Sequence, residues 1–296
     1  MSTIRALLSN TVLPAAEART LLAHLLAHYF QLPKSALISR DEMSLSNDFL
    51  ASWEALEKRR INGEPIAYLI GKRPFHQIEL MVNAAVLIPR PETELLVDLA
   101  LLEMVQLRQQ NPASPLRTLD LGTGSGAIAL AIASAFAELP DTTNPPQIMA
   151  TDVSPEALGV AKLNAAYLKQ GQSIEFIVSN WYQALPQPQC TGTFDLILSN
   201  PPYIHAGDEH LQQGDLRFEP ITALSDGQDG LSCLRAIIAG APLFLRPQGF
   251  IAVEHGYDQL TSVLEMMAQA GLQEVRSYTD LAGIPRVVSA RKAIAE

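Results

Sequence analysis

The stretch Asn200-Pro201-Pro202-Tyr203 is where this sequence offers chemistry most directly. Two successive prolines hold the backbone and remove two N–H donors. Acceptors remain: the side-chain oxygen of Asn200 and the carbonyl of Pro201. Such a pair suits an –NH2 group, gripped by both hydrogens while its nitrogen reacts. An amide or exocyclic amine nitrogen is a poor nucleophile, because its lone pair is delocalised. Hydrogen bonds to both N–H groups favour the pyramidal nitrogen that develops during attack and aim its lone pair. Positioning and fixed dipoles can then supply much of the barrier reduction. Tyr203 offers an aromatic face to the planar target group.

A second constellation lies upstream, where Leu119-Asp120-Leu121-Gly122-Thr123-Gly124-Ser125-Gly126 joins a strand to a helix. The glycines allow a tight turn and close approach to a ligand, and the helix start offers free N–H groups. By itself such a turn says only that a nucleotide-like ligand binds. Asp152 closes the next strand, where a carboxylate can accept from both hydroxyls of a ribose. That spacing does not separate NAD from S-adenosylmethionine. The loop, however, begins with an acid, Asp120, rather than with Gly-x-Gly-x-x-Gly, and an acid there suits the cationic ammonium of a methionine end. Trp181, past the third strand, either stacks on an adenine or fills core space. Together these features point to S-adenosylmethionine as the cofactor.

The elements that must position these residues alternate from Leu116 onward. Strands read near 116–121, 147–152, 174–178, 193–199, 249–254, 272–278 and 285–291. Helices read near 126–138, 154–169, 231–245 and 258–270. Such alternation predicts a mostly parallel sheet covered on both faces. The last two strands follow one another without a helix and should pair antiparallel, which is the class I methyltransferase arrangement, Rossmann-like with an antiparallel last strand. Ahead of the sheet, Pro14-Ala15-Ala16-Glu17 opens a helix through Phe30, with Pro14 in its first turn. A second helix runs from about Ser46 to Arg60 and ends at Asn62-Gly63. Period-two alternation from Phe75 to Ile88 predicts a short hairpin turning at Asn83-Ala84. A helix follows from about Thr93 to Gln109, and Asn111 to Pro115 reads as a loop.

Composition excludes several classes. The 296 residues are 48% hydrophobic and 18% charged, which argues against disorder. No signal peptide or bilayer-length apolar run is visible, so a soluble, cytoplasmic protein is expected. Cys190 and Cys233 have no ligand-spaced Cys or His around them, so reduced thiols are expected, with no metal and no disulfide. A net charge of −10 argues against broad binding to a nucleic-acid backbone. Glu254-His255 could be mistaken for an acid/base pair, but methylation of an amide needs no strong base, and a structural role at the sheet's upper edge is expected. Glu92 and Glu94 suit the positive end of a helix. Arg217 and Glu219 either contact a partner or pair with each other on the surface.

Across its length the chain resembles the release factor glutamine methyltransferases, the HemK or PrmC family. The resemblance rests on Gly63-Glu64-Pro65-Ile66-Ala67-Tyr68-Leu69-Ile70-Gly71, Val86-Leu87-Ile88-Pro89-Arg90-Pro91-Glu92-Thr93-Glu94, the glycine loop and Asn200-Pro201-Pro202-Tyr203. It continues through Arg217-Phe218-Glu219-Pro220, Asp229-Gly230-Leu231, Glu254-His255-Gly256 and Asp280-Leu281-Ala282-Gly283. One departure is Ile284 after Gly283, where the family commonly has a charged residue.

The resemblance implies N5-methylation of the glutamine in the Gly-Gly-Gln loop of class 1 peptide chain release factors, with S-adenosylmethionine as donor. It implies that Gly122, Thr123, Gly124, Ser125 and Gly126, with Asp152, Trp181 and Asn200, contact the cofactor, and that Asn200, Pro201, Pro202 and Tyr203 hold the glutamine. It also implies a helical substrate-recognition domain over 1–72, a hairpin linker over 73–90 and a catalytic domain over 91–296. The partner would be a release factor, met by a monomer without direct nucleic-acid or membrane contact. An alternative is an amino-methyltransferase acting on adenine or guanine in DNA or RNA, where the exocyclic amine poses the same chemical problem. A bare S-adenosylmethionine-binding module is a third reading, against which the intact Asn-Pro-Pro-Tyr stretch counts.

Overall fold

Leu21, Leu22, Leu25 and Leu26 recur at helical spacing, and a computed structural model of the chain buries all of them. The structure describes residues 2–110, 114–138 and 144–294, so residues 111–113 of the loop expected over 111–115 lie outside the described residues. Two units divide the chain, one running to Lys72 and taking in Gln212–Phe218, the other holding Arg73–Leu211 and the remainder from Glu219.

The first unit is helical: α1 Ile4–Asn10, α2 Ala15–Phe30, α3 Ala36–Ser39, α4 Asn47–Ile61 and α5 Ile66–Ile70. Pro14 stands just before α2 rather than in its first turn. Its fixed φ serves the extended backbone there, and Ala15 begins the helix. Ser46 caps α4 by accepting from the Phe49 N–H. Phe49 and Trp53 of α4 pack with the α2 leucines and Ile4. The Arg60 guanidinium then ties α4 to Glu17 at 2.7 Å and to Asp215 at 2.9 Å.

From Arg73 the second unit opens with the rest of β1 Lys72–Phe75 and with β2 Ile78–Met81, which form a two-stranded sheet. The hairpin therefore turns at His76-Gln77, not at Asn83-Ala84. His76 takes a left-handed φ of 51°, and its N–H donates to Glu94 Oε1 at 2.9 Å. A bond to a distant carboxylate fixes a turn that local residue types do not advertise. Asn83 instead bends the next loop, its side chain accepting from the Ala85 N–H at 2.9 Å.

A 3-10 turn at Pro91–Thr93 leads into α6 Glu94–Gln110. The main sheet follows, with β3 Arg117–Leu121, α7 Ala127–Ala137, β4 Gln147–Asp152, α8 Pro155–Tyr167, β5 Ile174–Val178 and β6 Phe194–Ser199. After α9 Ile221–Leu224 come α10 Ser232–Phe244, β7 Leu245–Glu254, α11 Leu260–Gln269, β8 Leu272–Thr279 and β9 Pro285–Lys292. The seven strands lie in the order β5-β4-β3-β6-β7-β9-β8. All neighbours are parallel except β9, which runs antiparallel to both β7 and β8. Every residue of β6 is buried, as expected for a central strand covered on both faces. Chain order reverses between β3 and β6, and ligands of open α/β sheets sit outside the strand ends at such a point. The glycine loop follows β3, and Asn200 follows β6.

Candidate active site

The loop after β3 is shaped by its own backbone bonds. Gly122 and Thr123 both donate to the Thr151 carbonyl at 2.9 Å, and the Gly126 N–H returns to the Thr123 carbonyl at 2.8 Å. Gly122 has φ +72°, and a Cβ there would stand 3.3 Å from the Trp181 ring. Gly126 has φ +85°, and its Cβ would meet Leu130 at 2.7 Å. Neither position admits a side chain without strain. Both glycines therefore serve the turn, and only Gly122 also stands on the wall of the cavity that opens in front of it.

That cavity has a volume of about 530 Å³, within the ordinary range for a small-molecule site. Its wall includes Gly122, Thr123, Gly124, Ser125, Asp152 and Trp181, together with Asn200 and Pro202. Asp152 accepts from the Gly124 N–H at 2.8 Å and from the Ser154 N–H at 2.9 Å, one oxygen each. With the Val153 N–H as a third donor, the carboxylate keeps one lone-pair direction for another. Burial pushes the Asp152 pKa up, and the N–H groups of Ser154, Gly124 and Val153 oppose it. Trp181 is held at φ 50°, a conformation rare for a bulky residue and typical of constrained functional sites. Its backbone carbonyl accepts from Ser179 Oγ at 2.8 Å.

Asp120 is placed otherwise than its sequence position suggests. It is fully buried and stands behind the loop rather than on the cavity wall. Thr123 donates its hydroxyl to Asp120 at 2.6 Å. Burial pushes the Asp120 carboxyl up to about 7 against the Thr123 bond, and the charge of Asp152 adds to the rise. Asp120 thus acts on the cavity through the shape and field of the loop.

At the end of β6, Asn200 Nδ2 donates to Thr93 Oγ1 at 2.8 Å. Its Oδ1 has no partner among the described residues and is left as an acceptor of a residue on the cavity wall. Pro201 is buried behind that wall. Tyr203 also stands off the wall, its hydroxyl donating to Glu254 Oε1 at 3.1 Å and its carbonyl accepting from Gln259 Nε2 at 2.8 Å. The ring expected to face a planar target instead packs against the hydrophobic core on that side of the sheet. A phenol needs a partner when buried, and Glu254 supplies it.

Glu254 and His255 do not line the cavity. Burial pushes Glu254 up to about 7, while Thr93, Tyr203 and the charge of Arg286 oppose it. Burial lowers the His255 pKa, and its Nδ1 lies 2.7 Å from the Gly256 carbonyl.

Sequence reasoning missed the opposite wall of the cavity. Glu219 is buried, accepts from the Ile88 N–H at 2.9 Å and pairs with Arg90, whose loop lines the cavity. Arg217 does not pair with Glu219. It donates to the Asn62 carbonyl at 2.6 Å and lies over the Phe218 ring. The clue lay in two separate segments, Pro89-Arg90-Pro91 and Phe218-Glu219-Pro220, whose opposite charges only the fold brings together. Among the described residues, no group of three or more His, Cys, Asp or Glu is placed to hold a metal ion.

Two family models match, a methyltransferase domain over residues 113–283 and a PrmC N-terminal domain over residues 3–71. The release factor glutamine methyltransferase of Bordetella pertussis (strain Tohama I) is 44% identical over 287 residues, covering 97% of this chain and 98% of that one. That of Burkholderia pseudomallei (strain K96243) is 44% identical over 294 residues, covering 98% and 96%. The Escherichia coli (strain K12) enzyme of the same name is 40% identical over 267 residues, covering 90% of each. With two family models matched and close relatives aligned over nearly the whole length, the chain belongs to the release factor glutamine methyltransferase family.

Proposed function

We propose that this chain transfers a methyl group from S-adenosylmethionine to the side-chain amide nitrogen of the glutamine in the Gly-Gly-Gln motif of class 1 peptide chain release factors. The observation that carries the reading is the Asn200 carboxamide, tied through its nitrogen to Thr93 so that its oxygen is left as an acceptor on the cavity wall. S-adenosylmethionine supplies a methyl group bonded to a cationic sulfur, which leaves as a neutral thioether.

The chain's own residues meet the remaining demands. The loop from Gly122 to Ser125 offers its backbone to the methionine end, with Gly126 closing the turn and Asp120 behind it biasing that corner toward a cation. Asp152 receives a ribose hydroxyl through its remaining lone-pair direction. Trp181 packs on the adenine. Asn200 Oδ1 accepts an N–H from the glutamine amide and favours the pyramidal nitrogen of the transition state, while Pro201, buried behind the wall, fixes the backbone of the turn. Pro202 and Tyr203 hold that turn in place, Tyr203 from behind the wall. The nitrogen gains the methyl and loses a proton to water, so neither His255 nor Glu254 is needed as a base.

Recognition of the intact release factor falls to the helical region of residues 1–72, which carries no catalytic motif. The chain acts as a monomer in the cytoplasm and touches its protein substrate without a nucleic-acid intermediary. A nucleic-acid substrate would ask for a basic surface, and the net charge is −10.

Asn200→Ala removes one acceptor and frees the amide to rotate. Its single-turnover rate on a Gly-Gly-Gln release factor at saturating cofactor should fall by about a hundredfold or more. A rate within a few-fold of the unmutated protein means that something else holds the amide.

A further inference from the structure

The geometry points to Gln259 as a positioning residue, whose carboxamide locks the turn that carries Asn200 to the two loops beside it. The inference rests on the proposed role of Asn200 as an acceptor. That role asks for more than the right side chain. From Asn200 to Tyr203 the backbone has left β6 and has no regular structure of its own. A displacement of about 1 Å at a reacting group is enough to cost about a hundredfold in rate. Two prolines fix φ in the middle of the turn. Its outer end, at Tyr203, needs another hold.

Gln259 is half-buried at the start of α11, and its side chain bonds to backbone at three points. Its Nε2 donates to the Tyr203 carbonyl at 2.8 Å and to the Gly230 carbonyl at 3.1 Å. Its Oε1 accepts from the Gly256 N–H at 2.9 Å. Only one way round satisfies these partners, because a carbonyl cannot donate and a backbone N–H cannot accept. Rotated by half a turn, the carboxamide would set its oxygen against two carbonyls and its –NH2 against an N–H. The sense of this side chain is therefore fixed by groups that neither titrate nor rotate.

Two glycines make room for it. A Cβ on Gly230, which has φ +77°, would stand 2.5 Å from the Tyr203 carbonyl oxygen and 3.0 Å from Gln259 Nε2. A Cβ on Gly256 would stand 3.1 Å from Gln259 Cδ and Oε1. The segments joined here follow β6, precede α10 and follow β7, and β6 and β7 are neighbours in the sheet. The Tyr203 hydroxyl is held by Glu254 at 3.1 Å, and the next N–H, of Ile204, donates to the Leu224 carbonyl at 2.9 Å. At the other end Asn200 is held through Thr93, so the turn is fastened at both ends. Gln259 is not on the cavity wall and acts on the reaction through the backbone it holds.

Two substitutions in the full chain test this. Gln259→Leu keeps the bulk and removes all three bonds. Gln259→Glu keeps the acceptor for Gly256 but, ionised at about pH 8, sets an oxygen against the two carbonyls. The readouts are the single-turnover rate at saturating cofactor and Gly-Gly-Gln release factor, and KM for that factor. The S-adenosylhomocysteine Kd by calorimetry also reports that each variant is folded. Both variants should slow transfer by about tenfold or more, with KM and Kd changed by less than about threefold. Added to Asn200→Ala, either should cost at most about twofold more, since no Asn200 oxygen is left to aim. Unmutated rates in either variant beside a slow Asn200→Ala, a rise in KM alone, or a loss that adds in full to that of Asn200→Ala overturns the inference and leaves the proposed function standing. A fast Asn200→Ala overturns the acceptor role itself, and this inference with it. Should one variant not fold, the other decides by the same readouts.

Discussion

Asp120 begins the glycine loop in sequence, yet the fold buries it where water cannot solvate its charge. A carboxyl raised from an ordinary 3.8 to about 7 keeps in the folded state a proton that the unfolded chain has already released. Stability contributed at this residue is therefore lost as pH rises from about 4 to about 7. Asp120→Asn has no proton to lose. Urea titrations across that window should show the variant gaining on the unmutated chain as pH rises, by up to on the order of 4 kcal/mol. Parallel curves would mean that Asp120 is ionised throughout. At this scale the sequence is informative where chemistry depends on neighbours along the chain. Gly122, Gly124, Asp152, Trp181, Asn200 and Pro202 reach the cavity wall as their spacing suggests. Thr93 and Glu219 were not legible, since their partners Asn200 and Arg90 lie 107 and 129 positions away.

Elements were legible wherever period and length agreed. All seven main-sheet strands and the helices between them fall close to their expected places, because buried strands and amphipathic helices carry their period in the residues themselves. The misplaced hairpin turn had no such support, since a bond from Glu94 sets it. The early start of β7 at Leu245 was hidden by Pro247 and Gly249, which a register shift between Phe194 and Leu196 of its partner strand accommodates. Asn164 of α8 shows how elements are fastened together. Fully buried, it donates to the carbonyls of Met81 at 2.9 Å and Ser125 at 2.9 Å, and accepts from the Met81 N–H at 2.7 Å. One side chain thus ties β2 to the loop on the cavity wall. Asn164→Ala strands three backbone groups, and urea denaturation should show a loss of about 3 kcal/mol. A loss below about 1 kcal/mol would mean that water takes over those bonds.

For the whole molecule, the division of labour between the helical region and the sheet is testable by truncation. Every residue that lines the cavity lies at or beyond Ala85. A chain beginning at Pro74 should bind S-adenosylhomocysteine within a few-fold of the full chain and lose most of its activity on an intact release factor. Calorimetry and a methyl-transfer assay check the two halves of that statement, and unchanged methylation by the truncated chain contradicts the recognition role. The central claim concerns the atom that receives the methyl group. Its most direct test is to incubate the chain with S-adenosylmethionine and a purified class 1 release factor, then map the product by tandem mass spectrometry. The account predicts one added methyl group, on the side-chain nitrogen of the glutamine in the Gly-Gly-Gln loop, and none when that glutamine is replaced. A methyl group on another residue, or transfer to an adenine or guanine amine in added RNA or DNA while the release factor stays unmodified, would contradict it.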